Sequence, residues 1–143
     1  RIGVKMKVVA VEPIGVDLFW DKIEPLIKKS VSYSGGRHTV NSTKYLLEKG
    51  MMQLFVVFKS VKDIEAVIIT QKSIYPAKTI LTIVLCGGRN MGKWAGKAIE
   101  TTMKYAKENG CTGVEVMGRP GWRKIFNKHV KYKESYVLFE THF

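Results

Sequence analysis

The sequence has few cysteines, few prolines and few acidic residues, and it has no long apolar run. Its two cysteines, Cys86 and Cys111, are too few for a disulfide scaffold, and its three histidines show no metal-ligand spacing with them. No apolar run approaches the roughly 20 residues that a membrane helix needs, and no signal-peptide pattern is present. We therefore expect one soluble, reduced, cytoplasmic domain over residues 1–143, with no metal and no membrane partner.

Basic residues, by contrast, are abundant. The chain has 24 lysines and arginines against 12 acidic residues, a net charge of +12 and a pI near 9.8. Between Arg89 and Lys133 there are 11 basic and three acidic residues, so this segment carries eight of the twelve net charges. Such a concentration predicts an anionic partner, which could be a nucleic acid, a phosphorylated cofactor or an acidic surface.

Hydrophobic periodicity divides the chain into alternating strands and helices. It predicts strands over 6–13, 52–58, 64–70, 79–86, 112–118 and 132–143, and helices over 16–30, 40–50, 91–108 and 119–130, with a flexible loop over 31–39. Pro25 should kink or split the first helix, and Asn41 or Ser42 should cap the second. The order β-α-α-β-β-β-α-β-α-β predicts an α/β (α+β) fold of three layers around a mixed, mostly antiparallel sheet.

The joint between the fourth strand and the third helix draws particular attention. There "LCGGRNMGKWAGK" leads from an apolar run through two glycines into a long amphipathic helix that ends at Asn109-Gly110. A strand that breaks at glycines and restarts as a helix can hold a phosphate, because the first N–H groups of a helix attract anions. The alternative is a simple turn between two core elements, with Trp94 pointing into the core.

This order and this joint resemble the GCN5-related N-acetyltransferase (GNAT) superfamily from about Met6 to Phe143. The superfamily has Arg/Gln-x-x-Gly-x-Gly/Ala at the joint; Arg89 and Gly92 match that motif, whereas Trp94 stands where a small residue is usual. The resemblance implies acetyl-CoA as cofactor, with its pyrophosphate on the backbone of the joint. The implied cofactor-binding residues are Leu85, Gly87, Gly88, Arg89, Asn90, Met91, Gly92, Lys93 and Trp94.

The resemblance also implies catalytic positions, and this sequence departs from the pattern at one of them. Phe126 stands where a tyrosine often protonates the departing thiolate, and phenylalanine has no proton to give. Tyr132 is the substitute that we name as a catalytic candidate, and Tyr105 is a second possibility. The superfamily often uses a glutamate on a middle strand as general base, which here would be Glu65.

Within the superfamily, "LCGG" and "GRPGW" look most like compact acetyltransferase-like proteins of tailed phages. Two readings therefore stay open. One is an acetyl-CoA-dependent N-acetyltransferase with degenerate motifs, and the other is an inactive phage structural, assembly or nucleic-acid-associated protein, in the host cytoplasm or the virion. A module that keeps the cofactor cleft without the chemistry is a third possibility, and a homodimer is compatible with all of them.

Overall fold

The computed structural model describes residues 5–60 and 62–143, and within them five strands form one sheet with four α-helices around it. The elements follow the predicted order as far as the fourth helix. They are β1 (Lys7–Val11), α1 (Val16–Val31), α2 (Val40–Glu48), β2 (Gln53–Ser60), β3 (Asp63–Ile74), β4 (Thr79–Gly88), α3 (Met91–Glu108), β5 (Gly113–Val116) and α4 (Arg123–His129). Short 3₁₀ turns at Pro13–Gly15 and Pro120–Trp122 precede α1 and α4.

The sheet has the order β1-β2-β3-β4-β5, and it is mixed as predicted. Neighbouring strands from β1 to β4 run antiparallel, whereas β5 runs parallel to β4. The parallel pair requires a crossover, which α3 supplies. Alternate side chains of β2 and β3 enter two separate cores, so the central strands are covered on both faces.

One core lies between the sheet and the first two helices. Trp20, Ile23 and Ile27 of α1 and Leu47 of α2 pack there against inward-facing residues of β2, β3 and β4. Of the two effects predicted for Pro25, a kink or a split, the split does not occur, because Pro25 lies on the exposed face, where water can satisfy the carbonyl that loses its helical donor. The cap of α2 is Thr39 rather than Asn41 or Ser42, and Ser42 completes the capping box.

The second core lies on the opposite face of the sheet, under α3. Trp94 and Ala98 of α3 pack there with Phe55, Val57 and other residues of the first three strands. At the other end of α3, Gly110 adopts a left-handed conformation and the Cys111 N–H bonds to the Ala106 carbonyl at 2.9 Å. This confirms the left-handed cap predicted at Asn109-Gly110.

The predicted closing strand over 132–143 was wrong. The segment is exposed and has no regular secondary structure, and Tyr136 and Phe139 are almost fully solvent-accessible. The neighbouring edge strand β5 has only four residues, which gives few backbone partners to a twelve-residue strand. Ion pairs hold the segment instead, from Glu134 to Arg123 and from Glu140 to Arg37.

None of the helices in the described part of the chain combines the length and the apolarity needed to cross a bilayer.

Candidate functional site

The strands β4 and β5 form a fork. They pair only from Ile80 opposite Gly113 to Ile83 opposite Val116, and β4 then continues to Gly88 beside β3 but without β5. The register between β3 and β4 shifts just beyond Ile83, which leaves Val84 as an extra, bulged residue. A bulge bends its strand and increases the local twist, so it explains why β4 leaves β5 at this point.

Backbone groups of β4 line the inner side of the fork. Arg89 donates its N–H to the carbonyl of Glu65, on the β3 side of the sheet, at 3.1 Å. Successive residues of an antiparallel ladder turn their N–H groups to opposite sides, so those of Cys86 and Gly88 face the fork. No described strand pairs with them there. These donors are placed where an oxyanion inside the fork would need them.

The first turn of α3 stands uncapped at the mouth of the fork. Its N-cap is Asn90, in a left-handed conformation with φ of 57°, and no side chain caps the helix. Among the described residues, no group accepts a hydrogen bond from the N–H of Asn90, Met91 or Gly92. Beside Gly92 the space is open, since a Cβ placed there would have no atom within 4 Å, and Lys93 is exposed. An anion at this turn could therefore contact unpaired N–H groups, the accessible backbone at Gly92 and the Lys93 ammonium group.

Trp94, which stands in place of the usual small residue, does not point toward the mouth. Its side chain is 2% exposed and packs in the core beneath α3. The indole Nε1 donates to the carbonyl of Arg89 at 2.7 Å, so the ring supports the joint from below. The substitution therefore leaves the backbone at Gly92 accessible.

Gly87 and Gly88 have a packing role in the sheet. A Cβ on Gly87 would lie 2.2 Å from the Ser30 hydroxyl and 2.8 Å from the Leu26 carbonyl, both on α1. A Cβ on Gly88 would lie 2.3 Å from that of Ala66 on β3. The two glycines thus let a helix approach β4 on one side and a strand on the other, while the bare surface beside the joint comes from Gly92.

Glu65 lies at the centre of an ion cluster under the joint. It is itself a bulged residue, because Phe58 and Val57 of β2 pair with its two neighbours and leave it without an opposite residue. Its carboxylate is 3% exposed and accepts from Arg89 Nε at 2.9 Å and from Asn90 Nδ2 at 3.4 Å, with Lys59 Nζ at 3.3 Å. The bulge has thus turned an acidic side chain from a buried strand toward the start of α3.

These contacts decide the protonation of Glu65. The hydrogen bond from Arg89, with further help from Lys59, holds the pKa of this carboxyl below its usual value, although burial opposes the shift. A general base works best with a pKa near the working pH and with a free lone pair. The arrangement therefore fits an anchor for the joint better than the base suggested by the resemblance. Sequence reasoning missed Lys59 and Asp63, which also contacts Arg89 at 3.7 Å.

A small apolar cavity of about 40 Å³ lies between the fork and the last two helices. Its lining includes Cys86, Met91, Trp94, Ile99, Trp122 and Phe126. This volume holds only a few water molecules, so a long ligand arm would have to move side chains of α4. Burial raises the pKa of the Cys86 thiol to about 12, which makes this sulfur a poor nucleophile despite its place in the fork.

Tyr132 lies next to that cavity and outside its lining. Its ring packs edge-to-face against Phe126 with 5.6 Å between centroids, and its hydroxyl donates to Asn127 Oδ1 at 2.9 Å. The residue is partly exposed, in the irregular segment after α4. The structure thus brings Glu65 together with the α3 joint, whereas Tyr132 stands apart from them, beyond Phe126.

On the α1 side, the fork is bordered by two residues that sequence reasoning missed as a pair. The Arg119 guanidinium lies over the Tyr33 ring, with Cζ 4.2 Å from the ring centroid. Tyr33 comes from the loop predicted as flexible, and Arg119 follows β5 in the basic segment. No sequence signal joins two residues so far apart in the chain.

No family model matches the sequence, and neither does any curated protein. Solved structures match over nearly the whole chain. They include an aminoglycoside acetyltransferase from an uncultured soil metagenomic sample, in complex with trehalose (TM-score 0.71, 17% identity, 100% of this chain and 99% of the other). They also include the ribosomal-protein-alanine N-acetyltransferase of Brucella melitensis biovar Abortus 2308 (TM-score 0.66, 14% identity, 95% of this chain and 99% of the other). A third is a predicted acetyltransferase from Clostridium acetobutylicum with acetyl-CoA (TM-score 0.69, 11% identity, 96% of each chain).

These similarities establish the fold. The chain has the α+β architecture of GNAT acetyltransferases, with a five-stranded mixed sheet flanked by helices, as the resemblance implied. Acetyl-CoA is bound by one of the similar proteins. At identities of 11% to 17%, the activity of this chain has to be argued from its own residues.

Proposed function

We propose that this protein is an acetyl-CoA-dependent N-acetyltransferase. The observation that carries the proposal is the β4–β5 fork with the uncapped start of α3 at its mouth. The anion site would bind the pyrophosphate of acetyl-CoA and the fork would bind its acetyl thioester, so both features are needed to hold the whole molecule.

The chain's own residues suit the cofactor at both ends. The free N–H groups of Met91 and Gly92, together with Lys93, would hold the pyrophosphate, and the open space beside Gly92 lets phosphates approach the backbone. Arg89 would contribute less than the motif suggests, because its guanidinium is already bound to Glu65 and Asp63. The N–H groups of Cys86 and Gly88 would stabilise the oxyanion of the reacting carbonyl.

Acetyl-CoA would supply an acetyl thioester. The acceptor nitrogen would bond to the acetyl carbon as the carbon–sulfur bond breaks, and the amine would lose a proton to water while the thiolate gains one from water. Phe126 cannot serve as the acid, and the Tyr132 hydroxyl is engaged with Asn127. The chain therefore contributes mainly by binding, by orientation and by oxyanion stabilisation.

Calorimetric titration with acetyl-CoA tests the proposal, using Gly92→Ala as the diagnostic variant. The added methyl meets nothing inside the protein, so the fold should be preserved, but it occupies the surface where the phosphates would lie. We expect Gly92→Ala to weaken binding about tenfold or more. Gly113→Ala is the matched control, since its Cβ also meets no atom and it lies at the far end of β5. Absence of binding to the wild type at millimolar acetyl-CoA would refute the proposal.

A second function is supported by the basic surface of α3 and α4, and the phage-like sequence features point the same way. Eight exposed lysines lie on these helices or just after them, and none has an acidic partner within 4 Å among the described residues. They are Lys93, Lys97, Lys104, Lys107, Lys124, Lys128, Lys131 and Lys133. We propose as the alternative an inactive GNAT-fold phage protein of the host cytoplasm or the virion that contacts nucleic acid. Binding to a 30-nucleotide duplex that survives 200 mM salt, without any binding of acetyl-CoA, would favour it.

We also propose a homodimer, which is compatible with either function. The edge of β5 that faces away from β4 has no described partner, and the run Tyr136-Val137-Leu138-Phe139 is exposed. Exposed extended apolar segments and open strand edges are common sites of pairing between chains. Sedimentation of the wild type against a variant with Val137 and Phe139 changed to serine would test this, and a monomeric wild type would contradict it.

A further inference from the structure

On the α1 side, a contact between Tyr33 and Arg119 links the segments that lead away from the two limbs of the fork. On the β4 limb, Gly87 touches Ser30 in the last turn of α1, and Tyr33 follows, with its N–H bound to the Ser30 carbonyl at 3.1 Å. On the β5 limb, Val116 is the last paired residue, and Arg119 follows three residues later. The Tyr33 ring and the Arg119 guanidinium meet at 4.2 Å. The pair therefore joins segments that continue from the two limbs of the fork.

Arg119 differs from the other described arginines in its electrostatic partners. Arg37 is paired with Glu140, Arg89 with Glu65, and Arg123 with Glu134. Arg119 has no carboxylate within 4 Å among the residues that the structure describes; its recorded contact is the face of Tyr33. Among the described arginines, this guanidinium is thus the one that has no acidic partner.

The contact with Tyr33 also bears on what Arg119 can bind. The guanidinium lies over the ring with Cζ 4.2 Å from the centroid, and a guanidinium carries five N–H donors, so those that do not face the ring are left for a ligand. Those donors match the two oxygens of a carboxylate or of a phosphate, which an arginine binds in a bidentate manner. A ring that restricts the motion of the guanidinium lowers the entropy cost of forming both bonds. The pair thus forms a preorganised receptor for an oxyanion beside the fork.

We propose that Arg119, held by Tyr33, recognises an oxyanion on the acetyl acceptor, so that the acceptor is an amine carrying a carboxylate or a phosphate. This rests on the proposed acetyltransferase function and adds the acceptor class. The net charge of +12 agrees with it, since a polycationic amine would be repelled and an anionic one attracted. The phosphates of acetyl-CoA have their own donors at the start of α3, on the opposite face of the sheet.

The test uses primary amines that differ only in the distal group. Alkylamines with spacers of two to five carbons are compared with the matching amino carboxylates and aminoalkyl phosphates, at constant ionic strength. We expect kcat/KM to be about 10- to 100-fold higher for the anionic member of the best-fitting length, the range for one charge-assisted bidentate contact. The better of the two anionic series identifies carboxylate or phosphate as the natural group. Equal kcat/KM for neutral and anionic amines would overturn the proposal.

Variants assign the effect to the pair. Arg119→Gln should abolish the preference by raising KM for the anionic amine, whereas Arg123→Gln, four residues further on and paired with Glu134, should retain it. Tyr33→Leu should reduce the preference for anionic amines several-fold, whereas Tyr33→Phe, which keeps the ring, should retain it. If Arg119→Gln raises KM for acetyl-CoA instead, or if both arginine variants behave alike, Arg119 does not bind the anionic group of the acceptor.

One measurement separates this inference from the proposed function. The N-acetylated forms of the same acids and amines are titrated into wild type and Arg119→Gln by calorimetry, with no turnover required. Preferential binding of the acids to wild type supports the oxyanion receptor even if no amine is acetylated. Binding of acetyl-CoA without any such preference would refute the receptor and leave the proposed function intact.

Discussion

Replacing Glu65 by glutamine tests whether this residue anchors the joint before α3. Glutamine keeps the size and most of the shape of the side chain but removes its negative charge. The carboxylate is 3% exposed and receives two donors from the joint, Arg89 Nε and Asn90 Nδ2, besides the contact with Lys59. We expect Glu65→Gln to lower the free energy of unfolding and to loosen the joint.

The magnitude follows from the exposure of the partners. A hydrogen bond to a charged group contributes about 1.5–3 kcal/mol when both groups are shielded from water. Here the Arg89 and Lys59 side chains are 64% and 35% exposed, so both cations can be rehydrated when the carboxylate is lost. We therefore expect a loss of about 1–2 kcal/mol. Glu134→Gln breaks an ion pair that is about half exposed at both ends, so it should cost less than Glu65→Gln.

Urea unfolding at several pH values is the assay. The pKa of Glu65 is lowered in the folded protein, so its contribution is complete above the unfolded pKa, near 4.3, and is lost as the pH falls through the folded value. The difference in unfolding free energy between wild type and Glu65→Gln should thus be constant from pH 5 to pH 8 and should shrink as the pH falls below about 4. If Glu65→Gln costs no more than Glu134→Gln, the buried cluster does not anchor the joint.

Kinetics distinguish the anchor from the general base. An anchor predicts a higher KM for acetyl-CoA with kcat changed only a few-fold. A base predicts a loss of kcat of about 10²- to 10⁴-fold and the disappearance of one limb of the pH–rate profile. A normal KM with that loss of kcat would refute the reasoning given for Glu65.

Three further predictions concern the packing of the fork. Gly87→Ala should lower the free energy of unfolding, measured in urea, by about 1–3 kcal/mol, because its Cβ would meet Ser30 and the α1 backbone. Gly92→Ala should instead stabilise the protein by about 0.5–1 kcal/mol, and equal effects of the two substitutions would contradict the packing described here. Trp94→Phe should cost about 1–3 kcal/mol through the lost hydrogen bond and the smaller ring, and an unchanged unfolding midpoint would refute that role. With a pKa of about 12, about one Cys86 thiol in ten thousand is ionised at pH 8, so iodoacetamide should label it, by mass spectrometry, only after unfolding; labelling at the rate of free cysteine would contradict this.

The sequence by itself determined the architecture because strands and helices have distinct hydrophobic periods. The nearly continuous apolar run around Val56 predicted a strand buried on both faces, and both faces are covered. The period of α3 and its Asn109-Gly110 end predicted the helix and its left-handed cap. These are local properties, so neighbouring residues were sufficient to reveal them.

The tertiary structure alone decided how the candidate site is built. The bulges at Glu65 and Val84 depend on the register between strands, which no single strand encodes, and they turn a carboxylate toward α3 and open the fork. The contact of Arg119 with Tyr33 joins residues distant in the chain. The predicted closing strand failed for the same reason. Its apolar residues satisfied the local pattern, but the neighbouring edge strand β5 has only four residues, and pairing depends on that edge as much as on the strand.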